Sequence, residues 1–136
     1  MYYIDTPKDC VYAFDYDAAT GDVSNQRVAF PIPPGTGHPD GCCIDSSGNV
    51  WVAQWGGSRV VAYNPNAGGE IVAEVRLPAA HVSSCTFGGP GLKDLFITTA
   101  KEHLSAEERA AQPNAGDCFI VRDTGFVGVP AGEFRG

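Results

Sequence analysis

Along the chain, short stretches rich in Val, Ile, Tyr, Phe and Trp recur, separated by clusters of Gly, Asn, Asp and Pro. That pattern predicts many short strands joined by turns, a nearly all-β protein. Ile71 to Leu77 alternates, with Ile71, Ala73, Val75 and Leu77 on one face and Glu74 and Arg76 on the other, which predicts a strand with one buried and one wet face. Val11 to Asp17 alternates too, collecting Tyr12, Phe14 and Tyr16 on one side, and Ala19-Thr20-Gly21-Asp22 supplies the turn of a hairpin. The one helical pattern is Ser105 to Gln112. There Ser105 caps, Glu108 completes a capping box and Pro113 stops growth. It lacks a wide apolar stripe and predicts a short surface helix between strands.

The strands repeat. Val50-Trp51-Val52-Ala53 and Leu95-Phe96-Ile97-Thr98 are matching strands 45 residues apart, and Met1-Tyr2-Tyr3-Ile4 precedes the former by 49. Arg59 to Tyr63 likewise echoes Val11 to Phe14. A unit of this length with three or four strands is a β-propeller blade, and 136 residues hold about three of them, whereas rings close with roughly four to eight. One domain over residues 1–136 is therefore expected to be a partial propeller. It would be a piece of a longer ring or a protomer that pairs with a copy, an all-β sandwich being the other architecture with such spacing.

Composition narrows the partners. The net charge of −7 repels phosphate backbones and anionic lipid, so neither nucleic acid nor a membrane surface is expected. The apolar runs are all too short to span a bilayer, and the first residues carry Asp5 and Asp9 with no apolar signal region. Five cysteines, Cys10, Cys42, Cys43, Cys85 and Cys118, contain no C-x-x-C pair and are odd in number, which points to reduced thiols in a cytoplasmic setting. Cys42 and Cys43 should point to opposite faces of a strand as small apolar residues. Asp45-Ser46-Ser47-Gly48-Asn49 has oxygen ligands at short spacing, but it lacks the closing acidic residue of an EF-hand and reads as a tight turn. Trp51 and Trp55 suggest a carbohydrate platform, although Trp51, inside an apolar strand, belongs in a core.

Several blocks together resemble one family: Met1 to Thr6 (MYYIDT), Tyr12 to Arg27, Pro39-Asp40-Gly41 followed by Ile44 to Ala53, Trp55 to Val60, Ser84 to Pro90, and Leu104-Ser105 running on to Gly116. In this order they are similar to the C-terminal part of the senescence marker protein/gluconolactonase family, also called regucalcin-like proteins. The resemblance covers essentially the whole chain. It implies about half of a six-bladed β-propeller that binds a divalent cation, calcium or zinc, in its channel and hydrolyses sugar lactones such as gluconolactone. The family's cation is held by a Glu and an Asn from the N-terminal part and by the Asp of the P-D-G block, which falls on Asp40. Only that ligand is expected here.

Two positions depart from the family pattern. His38 stands where the family usually has an aliphatic residue, two positions before Asp40. His38 and Asp40 are then either a His-x-Asp metal clamp or an aspartate preceded by a solvated loop histidine. Cys42 replaces a residue that is commonly Met, a packing exchange. Lactone hydrolysis needs a polarised carbonyl and a carboxylate that holds the cation or accepts a proton, and Asp40 alone cannot do both. Two readings follow: a divalent-metal-dependent lactone hydrolase whose channel is completed by a second half or by a homodimer, or a non-catalytic half-propeller acting as a binding or self-assembly module.

Overall fold

The computed structural model describes residues 1–132. Ten strands and one α-helix follow one another as β1 (Tyr2–Asp5), β2 (Cys10–Tyr16), β3 (Val23–Pro31), β4 (His38–Ile44), β5 (Val50–Trp55), β6 (Arg59–Asn64), β7 (Glu70–Arg76), β8 (Val82–Gly88), β9 (Asp94–Thr99), α1 (Ala106–Ala111) and β10 (Cys118–Val121). They form three antiparallel sheets in the orders β1-β2-β3, β4-β5-β6-β7 and β8-β9-β10. Each is an up-and-down meander, so every strand pairs with its neighbour in sequence, as in a propeller blade. The repeat read from the sequence is real: β5 and β9 are each the second strand of their sheet.

The middle sheet is buried on both faces, and strand alternation shows how. Val50 and Val52 of β5 pack with Val11, Phe30, Ile32, Val61 and Tyr63 between the first and second sheets. Trp51 and Ala53 turn the other way and join Val60, Val82, Phe87, Leu95 and Ile97 between the second and third. Successive side chains of one strand thus feed two cores, which is why β5 and β6 read as continuous apolar runs. Trp51 is fully buried, edge-on to Phe87 at 5.3 Å and Phe126 at 5.0 Å. It is a core residue, as expected.

Hairpin and helix form where the sequence places them. Asp17 Oδ1 accepts from the Ala19 amide at 2.8 Å and Gly21 takes φ +82°, closing the β2–β3 turn. Ser105 caps α1 with its Oγ accepting from the Glu108 amide at 3.2 Å, while Glu108 Oε2 accepts from the Ser105 amide at 2.7 Å. No α1 residue is buried; the helix is anchored by Leu104, which packs with Ala79 and Ala115. One expectation needs correction. Ile71 is 48% exposed, because β7 is an edge strand and a register shift opposite Ala62 and Tyr63 breaks its alternation at Val72. No helix among the described residues is long and apolar enough to cross a membrane.

Candidate functional site

Asp40 lies on β4 where the strand is irregular. Pairing with β5 runs from Ile44↔Val50 to Cys42↔Val52 and resumes at Pro39↔Gln54, so Asp40 and Gly41 together face one residue of β5. Such a bulge re-aims a side chain. Glycine at 41 is demanded by β8, since a Cβ there would stand 2.3 Å from Ser84 Oγ, 2.6 Å from Ser84 Cβ and 2.8 Å from the Ser83 carbonyl oxygen. The second and third sheets therefore touch beside Asp40. Burial pushes the Asp40 carboxyl above the usual aspartate value, and the Gly41 amide opposes this only in part. The carboxylate makes no ion pair among the described residues. A partly desolvated, unpaired carboxylate is suited to accepting a proton or joining a cation site.

No charged group contributes to the shift of the Asp40 carboxyl. On β8, Ser83 Oγ lies 2.9 Å from Thr98 Oγ1. Cys43 and Cys85 face each other across the two sheets with sulfurs 3.8 Å apart. The Cys85 thiol is held well above its ordinary value by its hydrogen bond to Cys43 and then by burial. Burial, helped by Cys43, pushes Cys42 up to about 11. Thiols that resist ionisation are poor nucleophiles, so Cys42 and Cys85 act as packing residues. Cys42 packs toward the first sheet and Cys43 toward the third, the opposite faces that adjacency on a strand requires.

His38 is directed elsewhere. Its Nδ1 lies 2.7 Å from Asp9 Oδ1, and both side chains are exposed. No hydrogen bond or ion pair joins His38 to Asp40 among the described residues. Asp45 is fully engaged: its oxygens accept from the amides of Ser47 (2.9 Å) and Asn49 (3.0 Å), from Asn49 Nδ2 (2.9 Å) and from Trp51 Nε1 (3.0 Å). It is the keystone of a turn, as its sequence context suggests. Trp55 is half-buried and stacked on His81, with ring centroids 4.2 Å apart. Among the described residues no three His, Cys, Asp or Glu side chains are grouped to hold a metal ion. Calcium takes 6–8 oxygen ligands and catalytic zinc three protein ligands, so these residues do not by themselves fit a complete cation site.

Sequence reasoning located Asp40 but missed what fixes it. A glycine inside a strand pattern is the signal of a bulge or a close backbone approach, and Gly41 is both. Also missed was a buried polar chain in the second sheet, in which Gln54 Nε2 donates to Tyr63 Oη (2.9 Å), Arg59 Nε donates to Gln54 Oε1, and Arg59 Nη1 donates to Glu74 Oε2 (2.6 Å). Its members come from β5, β6 and β7, and only their pairing unites them.

This architecture of three meander blades has close counterparts. The SMP-30/Gluconolactonase/LRE-like region matches residues 1–101, and the chain belongs to that family. It is 43% identical to zebrafish (Danio rerio) regucalcin over 136 residues, all of this chain and 46% of that protein. It is 46% identical over 122 residues to a Bacillus subtilis (strain 168) protein provisionally named sugar lactone lactonase YvrE, covering 90% of this chain and 41% of that one. A luciferin-regenerating enzyme superposes with a TM-score of 0.81 at 35% identity, over 94% of this chain and 42% of the other. Agrobacterium tumefaciens regucalcin, described as a calcium-binding protein, superposes with a TM-score of 0.83 at 28% identity, over 93% and 42%. The chain thus spans less than half the length of these relatives, and the three sheets are blades of a regucalcin-like propeller.

Proposed function

We propose that the chain supplies the Asp40-bearing half of a gluconolactonase-type sugar-lactone hydrolase, whose channel is completed by a second half or by a second copy in a homodimer. The observation that carries this is the Asp40 carboxylate, unpaired, partly desolvated and fixed by the bulge, in a chain of the gluconolactonase family. Hydrolysis of a lactone adds water to the ring ester carbonyl and breaks the ring C–O bond, giving a hydroxy acid. A carboxylate whose basicity is raised by burial can take the proton of the attacking water. The divalent cation of this reading, calcium or zinc, would be held by Asp40 together with ligands from the completing half. His38, engaged by Asp9, would reach it only by exchanging partners. The five free thiols support a cytoplasmic setting.

A second reading, a non-catalytic half-propeller serving in binding or self-assembly, is favoured by the lack of a three-ligand metal group among the described residues. Native mass and ring opening of gluconolactone, with and without added calcium or zinc, separate the two. The hydrolase reading expects a dimer or larger assembly whose cation-dependent hydrolysis is lost in Asp40→Ala. An assembly that leaves gluconolactone intact with either cation sinks it in favour of the module, and a monomer removes self-completion.

A further inference from the structure

Away from Asp40, at the end of the second sheet where β5 turns into β6, lies a pocket of about 210 Å³ lined by Gly35, Thr36, Gly56, Gly57, Arg59 and Arg76. It is smaller than the 300 Å³ or more typical of sites for drug-sized ligands, so it suits a small molecule or one group of a larger one. Two guanidinium groups border it. Arg59 is only 8% exposed and its position is set by Gln54 and Glu74. Arg76 is open to solvent on the rim, and its Nε also meets Glu74. One carboxylate thus bridges two arginines, leaving the group with a net charge of about +1 on a chain whose net charge is −7. Arg59 Nη2 makes no hydrogen bond among the described residues.

The backbone adds a second, independent observation. Two glycine turns cross here so tightly that a Cβ on Gly37 would lie 2.6 Å from the Gly57 nitrogen, and one on Gly57 would lie 2.3 Å from the Thr36 oxygen. Gly35 and Gly56 each take φ +76°, the left-handed conformation found where successive amides form anion-binding concavities. The amides of Gly35 and Thr36 have no acceptor among the described residues, although both residues line the pocket. A guanidinium buried in a fixed orientation is pre-arranged for a fork of oxygens.

We propose that this pocket is a binding site for a small oxyanion, a phosphate or a carboxylate group. It takes the anion between Arg76 and the free edge of Arg59, over the glycine amides. The inference does not rest on the lactone reading. It is tested by calorimetric titration of the full chain at constant ionic strength, with inorganic phosphate in one arm and acetate in the other. The expected result is saturable binding of one anion per chain in at least one arm, the tighter arm identifying phosphate or carboxylate. Arg76→Gln should weaken it at least tenfold and Arg76→Lys by less, since lysine keeps the charge but not the fork. Asp40→Ala should bind as wild type, which separates this site from the one on β4. Arg76 is 69% exposed, so its variants should keep their fold, and an unchanged unfolding midpoint without anion verifies it. Absence of saturable binding in both arms, or wild-type affinity in Arg76→Gln, overturns the proposal.

Discussion

Replacing Gly41 by alanine adds one methyl group where β4 of the second sheet touches β8 of the third. The new Cβ would overlap Ser84 Oγ at 2.3 Å, Ser84 Cβ at 2.6 Å and the Ser83 carbonyl oxygen at 2.8 Å. Rotating the Ser84 hydroxyl away relieves only the first of these, because a Cβ and a backbone oxygen move only if β8 moves. Overpacking of this kind costs about 1–3 kcal/mol. For a domain of this size that lowers the unfolding midpoint by roughly 4–12 °C. Thermal unfolding followed by circular dichroism measures it, within a double-mutant cycle. Ser84→Gly removes two of the three overlaps at its own cost of up to about 1 kcal/mol, as for glycine in a strand. The double variant should therefore recover more than half of the loss caused by Gly41→Ala, whereas Ser84→Ala, which keeps the Cβ, should recover little. A midpoint for Gly41→Ala within 1 °C of wild type, or equal coupling to Ser84→Gly and Ser84→Ala, would refute the claim that sheet contact dictates glycine beside Asp40.

Other outcomes follow from the same geometry. Asp45→Ala leaves buried donors of Asn49 and Trp51 unsatisfied and should cost about 3 kcal/mol or more in denaturant unfolding, with Asp45→Asn recovering part. Asp40, its carboxyl raised by burial, binds protons more readily when folded than unfolded, so its charged form opposes folding as pH rises above about 3.8. Asp40→Asn should therefore raise the unfolding midpoint at pH 7, and the stability gain should vanish below about pH 3.8; if the proposed lactone hydrolysis holds, the same variant abolishes it. Asp94 has the opposite sign: the Asp123 amide and then Arg122 hold its carboxyl below the ordinary value. Its contribution is complete above about pH 3.8 and is lost as pH falls through the lower folded value. Asp94→Asn should flatten the fall in midpoint between pH 4 and 2.5, and an unchanged slope would contradict this assignment.

The sites were legible to different depths. Asp40 stands in a local block, Pro39-Asp40-Gly41, which the sequence displays whole. The surroundings that decide its chemistry come from β8, more than forty residues later, and no local pattern announces them. His38 shows the limit of spacing arguments. Two residues apart on a regular strand means a shared face, but a bulge intervenes and the partner His38 finds is Asp9, in the turn that leads into β2. The oxyanion pocket was invisible for the same reason, since Arg59, Arg76 and the two glycine turns are united only by pairing across β4 to β7.

Features that depend on neighbours along the chain are set by the order of residues alone. These are the alternation that makes strands, the Asp17 and Asp45 turns, the Ser105 capping box, and the repeat of strand units that makes blades. Hydrogen bonds a few residues apart and a period of two set all of these before any distant contact forms. The tertiary structure decided which face of each strand meets which core, where β4 must bulge, and which carboxylates are left without a partner. Those depend on sheet-to-sheet distances, where a shortfall of about an ångström selects glycine over alanine, and such distances exist only once the three sheets have packed.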